Sequence, residues 1–256
     1  MQAIRIYTHS IRQVSRNLGP ALRITLAPML LQDVAISVAE HFTQPAGTVK
    51  DLAQSPLPIA ILAALLAVTI FCSSWMAVAW HRFVLMAELP GGILPPVHAE
   101  RMVAYIGRSL LLGLSLVAVE FSGAVMLMLF SGMLGAVSRA LALLVLVPGG
   151  IALLVVLFTI FYRLSVMLPA AALGADASLK TAWEATEGAS VTLFTLAALV
   201  VGTAIVLVLP QAIFYRAGLM VFAIVWQVVS GWAVMLLMLS VLTTVYGYYV
   251  QKRTLV

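Results

Sequence analysis

Glu120 stands near the middle of a long apolar run, Ser109–Phe130, where an ionised group is costly. A carboxyl at that depth can serve as a proton or cation site, anchor a polar ligand, or sit protonated and hydrogen-bonded to a neighbouring helix. The last is the plainest chemistry. Gly113, Leu116, Val117, Gly123 and Ala124 share its helical face, a stripe of mostly small residues that suits close packing, so Glu120 is expected to look into a helix bundle. Gln227, with Ser230 and Gly231 a turn on, falls at a similar depth when ~1.5 Å per residue is counted from opposite membrane faces. It is the expected hydrogen-bond partner of Glu120.

Arg82 and Arg163 follow His81 and Tyr162 at the ends of apolar runs, and Trp183 sits in a short charged stretch. All three are candidates to meet lipid headgroups. Arg23 lies about a turn inside the first run and can snorkel to headgroups, while Asp33 marks where that run stops. His9, His41, His81 and His98 have no HxxxH or HExxH spacing, so no metal or haem site is expected, nor any other cofactor. Cys72 is the lone cysteine and reads as a small apolar filler. GxGxxG, GxxxxGK[ST] and GxSxG are all absent, which leaves nucleotide binding and a serine-elbow hydrolase without support.

The elements that must hold these residues are helices in lipid. Of the 256 residues, 63% are hydrophobic and 9% charged, and mean hydropathy is +1.12. A soluble core cannot hide that excess. Six runs are long enough to cross a bilayer: Leu18–Val38, Leu57–Trp80, Ser109–Phe130, Leu141–Tyr162, Val191–Phe214 and Leu219–Tyr246. Pro148-Gly149-Gly150 should kink the fourth or turn it back as a re-entrant segment. Ser37-Val38-Ala39 resembles a cleavage site, but Arg23, Pro28 and Asp33 interrupt the run, so the first segment is read as retained. The expected fold is all-α, a single integral membrane domain over residues 1–256.

Charge placement orients it. With the N-terminus inside, 11 of the 14 basic residues fall on the inner side, and only Lys50, Arg139 and Arg216 on the outer. Both termini are then cytoplasmic in a bacterial inner membrane. The pI near 9.7 is topogenic rather than a nucleic-acid footprint, so the expected partners are lipids, another membrane protein or a second copy.

Two inner connections carry structure. In residues 163–190, Pro169 should stop the preceding helix, Ser178 caps a new one and Gly188 ends it. Leu179, Ala182, Trp183 and Thr186 fall on one face of that short amphipathic helix, with Trp183 as an interfacial anchor. In residues 81–108, Pro90-Gly91-Gly92 and Pro95-Pro96 break the chain before a second short element, VHAERMVAYIGR. Its apolar side would be Met102, Val103, Tyr105 and Ile106. Arg82–Met86 and Arg163–Met167 form a faint internal echo.

AWHRFVLMAELPGGILPP and FYRLSVMLPAAALGADASLKTAWEATEG resemble stretches of small bacterial inner-membrane proteins related to the membrane domain of glycerophosphoryl diester phosphodiesterases. The matching positions are Arg163, Leu168, Pro169, Ala170, Ser178, Ala182, Trp183, Thr186 and Gly188. The resemblance implies a helical membrane module, sometimes fused to a soluble phosphodiesterase domain, and carries no catalytic residue. The hydrolase activity is not carried over, since this sequence has no stretch to build that domain's barrel. The expected role is a non-enzymatic accessory or scaffolding subunit; the alternative is a transporter or lipid-handling protein with a midplane site around Glu120. Small faces such as Ala60/Ala64 and Ala63/Ala67 suit helix contacts within or between chains.

Overall fold

The computed structural model describes residues 2–43, 56–89, 91–92 and 94–255. Lys50 and Pro90, to which outer-side charge and chain breaking were assigned, lie outside them. The described residues are 85% helical without strands, and six of their helices are long and apolar enough to cross a membrane. Lipid cannot satisfy backbone N–H and C=O groups, and a helix satisfies its own. The chain is a multi-pass helical membrane protein.

Nine helices are seen among the described residues: α1 Gln2–Ser15, α2 Leu18–Thr43, α3 Pro56–Met86, α4 Ala99–Gly135, α5 Arg139–Leu164, α6 Met167–Leu173, α7 Leu179–Ala185, α8 Ser190–Arg216 and α9 Met220–Tyr249. They cluster into two units that interleave in sequence. One comprises Met1–Arg16, Arg108–Ala170 and Asp176–Val256; the other comprises Asn17–Gly107 and Ala171–Ala175.

In the first unit α9 packs on α8, α8 on α5, and α1 on both α8 and α9. The core sits at the C-terminal half of α9, where Leu236, Ser240, Val241, Thr243 and Val245 are buried. Half of the most apolar window of α9 is covered, against 6% for α4. In its C-terminal half α4 meets α5 at two glycines. A Cβ on Gly123 would meet Leu153 at 2.5 Å, and one on Gly149 would meet Leu127 at 2.5 Å. Pro148 lies inside α5, which runs unbroken from Arg139 to Leu164, so this segment is not re-entrant. Gly149 and Gly123 each leave room for the end of a leucine side chain from the facing helix.

In the second unit α2 packs on α3. Trp75–His81 of α3 are buried without interruption, with Ala21, Ile24 and Thr25 of α2 buried too, and Ser73 donates to Gln32 at 3.2 Å. Cys72 is buried and free. Ala60, Ala63, Ala64 and Ala67 are exposed, so the expected small-residue contacts of α3 are not made within this chain.

Three expectations about the connections change. VHAERMVAYIGR is not a separate helix. Its residues form the first turns of α4, whose opening bond runs from Met102 N–H to His98 C=O, and nothing after Gly107 breaks the helix. Met102 and Tyr105 are buried there, while Val103 is exposed. Pro169 does not stop the preceding helix. α5 ends at Leu164, and Pro169 sits in the first turn of α6, where a missing N–H costs nothing. The echo fails as well, since Arg82–Met86 is the last turn of α3 and Arg163–Met167 spans a helix break.

Helix α1 was not anticipated. Ala3, Ile6 and Ser10 bury one face while Arg5, Arg12 and Arg16 remain outside it, and Tyr7 and Ser10 hydrogen-bond Thr203 of α8 and Thr244 of α9.

Candidate functional site

In the second unit, α3 ends by letting Ala87 take a positive φ of 56°, a conformation that costs a non-glycine residue roughly 1–2 kcal/mol. The turn brings Glu88 back onto Arg82. Arg82 Nε donates to Glu88 Oε2 at 2.7 Å and its Nη2 lies 2.6 Å from the same oxygen. Its Nη1 donates to the Ala172 carbonyl at the end of α6, at 3.2 Å. The other carboxylate oxygen accepts from His98 Nε2 at 2.6 Å, and Trp75 Nε1 donates to the Pro96 carbonyl at 3.3 Å. The α3–α4 connection is thus pinned near both ends. Burial alone would raise the Glu88 carboxyl, but the hydrogen bonds from His98 and Arg82, with the Arg82 charge, hold it below its ordinary value. Glu88 and His98 escaped the sequence reading because no spacing rule links residues across a loop. Arg82, a candidate headgroup contact, has its donors engaged by protein.

In the first unit, Arg163 closes α5 and is nearly buried. Its Nε donates to Thr186 Oγ1 at 3.4 Å, its Nη1 to Ser190 Oγ at 3.3 Å and its Nη2 to the Trp183 carbonyl at 3.3 Å. The guanidinium carbon lies 3.5 Å from the centroid of the Trp183 ring. Such stacking of a cation on an indole is worth ~1–2 kcal/mol when partly desolvated. Around it α7 forms as its sequence requires. Ser178 and Thr181 make a reciprocal capping box, Ala182 and Thr186 are buried, and Gly188 takes a φ of 71° that lets the chain turn into α8. Arg163 therefore staples α5, α7 and the start of α8. Trp183 is covered on one face by Arg163 and keeps 46% of its surface exposed.

Beside this staple, an open cleft of about 630 Å³ is lined by Arg108, Met167, Asp176, Ser178 and Lys180 among others. Arg108 reaches Asp176 at 3.1 Å and the Met167 carbonyl at 3.2 Å, so the chain itself answers that charge.

The expected Glu120–Gln227 bond is not formed. Gln227 accepts from Gln211 of α8 at 3.0 Å, and Glu120 has no hydrogen-bond or ion-pair partner among the described residues. Nor does Glu120 look into the bundle; it is exposed. Depth counting fixes height along a helix and not azimuth. Three residues turn a helix by about 300°, so Glu120 stands about 60° round from Gly123 and at the rim of the α4–α5 contact.

No group of three His, Cys, Asp or Glu among the described residues is placed to hold a metal. Compared with known proteins, the chain matches no family model, no curated protein and no solved structure.

Proposed function

We propose that this chain is a non-enzymatic accessory or scaffolding subunit of a bacterial inner membrane, both termini cytoplasmic, whose α4 face carries a partner's helix. One observation carries the reading. Glu120 lies exposed, without a partner among the described residues, near the middle of a helix whose most apolar window is only 6% covered by its own chain. An ionised carboxyl at the bilayer centre costs roughly 2.5–3.5 kcal/mol even on the mildest scale, and a neutral one still needs a hydrogen-bond partner. A polar group supplied by another membrane helix removes that cost. The bias of basic residues, 11 of 14 on one side, supports the orientation. The likeness of Arg163–Gly188 to membrane modules that accompany phosphodiesterase domains agrees with an accessory role.

The alternative, a transporter or lipid-handling protein with a midplane site at Glu120, draws less support, because Glu120 stands on the outside of α4 rather than in a cavity. Gentle-detergent extraction followed by mass spectrometry separates the two. The accessory reading expects a stoichiometric membrane partner with the wild type that is lost with Glu120→Leu. Free wild-type chain, or equal recovery of the partner by both proteins, rules it out.

A further inference from the structure

Leu22, Leu26 and Leu30 recur at every fourth position of α2 and stand exposed along one line. With Arg23 and Ala27 beside them, and Gly91 and Gly92 of the α3–α4 connection, they line a groove of about 480 Å³ within the second unit. The groove is built rather than incidental, because the Arg82–Glu88–His98 network and the Trp75–Pro96 bond hold the connection that supplies the two glycines.

Its chemistry is one-sided. Arg23 is exposed and makes no hydrogen bond or ion pair with any described residue, and neither glycine N–H is bonded to one. None of the described residues lining the groove is acidic. Counting from Leu18, Arg23 lies about 8 Å along the span and Leu30 about 18 Å, so a single cation sits at headgroup depth above an apolar track that leads into hydrocarbon. A planar guanidinium binds phosphate oxygens in bidentate fashion, and exposed leucines take an acyl chain. The ammonium of a zwitterionic headgroup finds no acid here.

We propose that this groove holds one anionic glycerophospholipid, its phosphodiester on Arg23 and an acyl chain along Leu22, Leu26 and Leu30. The site shares no residue with the partner face at Glu120. The test is native mass spectrometry of the full chain in mild detergent, with phosphatidylglycerol, phosphatidylcholine or inorganic phosphate added. The wild type is expected to retain one phosphatidylglycerol in preference to phosphatidylcholine. Arg23→Gln should lower that retention about tenfold, as loss of a charge-assisted contact does, and Arg23→Lys should recover part of it. Leu26→Trp, at an exposed position where it fills the groove without entering the core, should exclude the lipid too, and Glu120→Leu should leave it bound. Unchanged retention in Arg23→Gln and Leu26→Trp overturns the proposal. So does loss of lipid in Glu120→Leu, or competition by inorganic phosphate as effective as by phosphatidylglycerol, which would mark a free-anion site.

Discussion

Glu88 sits in a connection rather than a span, and its carboxylate is held by Arg82 on one oxygen and His98 on the other. Its folded value is depressed, so the stability it contributes is present above the unfolded value, about 4.5, and is lost as pH falls through the lower folded value. Thermal melts followed by tryptophan fluorescence should therefore show wild type losing stability below about pH 4.5, with a smaller loss in Glu88→Gln. Identical acid profiles would mean that the carboxylate holds nothing. Side-chain chemistry was legible where it is local. Ser178, Ala182, Thr186 and Gly188 lie within three turns of one another, and each took the place its spacing required. Arg163 was singled out for lipid and is instead satisfied by Thr186, Ser190 and Trp183, because their approach depends on how three helices meet. Glu120 shows the same limit: the stripe of small residues on its face did not tell which way it looks.

At the scale of elements, α4 and α5 approach through glycine, and the contact can be probed from either side. Gly149→Ala should be close to neutral. The ~1 kcal/mol gained in helix propensity offsets the shift of the Leu127 side-chain end that a methyl group forces. Gly149→Ile should cost ~1–3 kcal/mol by overpacking, and Leu127→Ala in the same chain should return part of it. Denaturation in mixed micelles measures both. A neutral Gly149→Ile would mean that the two helices are not in contact at this point. The six spans were plain in the sequence because bilayer thickness demands long apolar runs. Helix α1 was not, though Ala3, Ile6 and Ser10 recur at three- and four-residue steps opposite three arginines. Ser10 sits on that buried face because Thr244 answers its hydroxyl, a partner no local pattern announces.

For the whole molecule, six spans among the described residues would put both termini on one side, and the proposed orientation rests on the bias of basic residues. Reporters fused after Val256 should be active when they require the cytoplasm and silent when they require the periplasm. A periplasmic signal would reverse every inner and outer assignment and move Arg23 to the opposite leaflet. Lys50→Ala should leave the reporter's answer unchanged, since the proposed topology places 11 of the 14 basic residues on the other side.

The seating of α1 also sets an order of assembly. Tyr7 and Ser10 are bonded to residues 196 and 234 positions downstream, so this segment leaves the ribosome long before the residues it is bonded to. At ~5–20 residues per second that wait is on the order of ten seconds or more. Throughout it the face of α1 that α8 and α9 will cover lacks those partners, and a basic amphipathic helix in that position is suited to lie on a bilayer surface. Maturation of this protein therefore closes like a clasp: α1 completes its seat only when both α8 and α9 are in place, and without α9 the Ser10–Thr244 half of the clasp stays open.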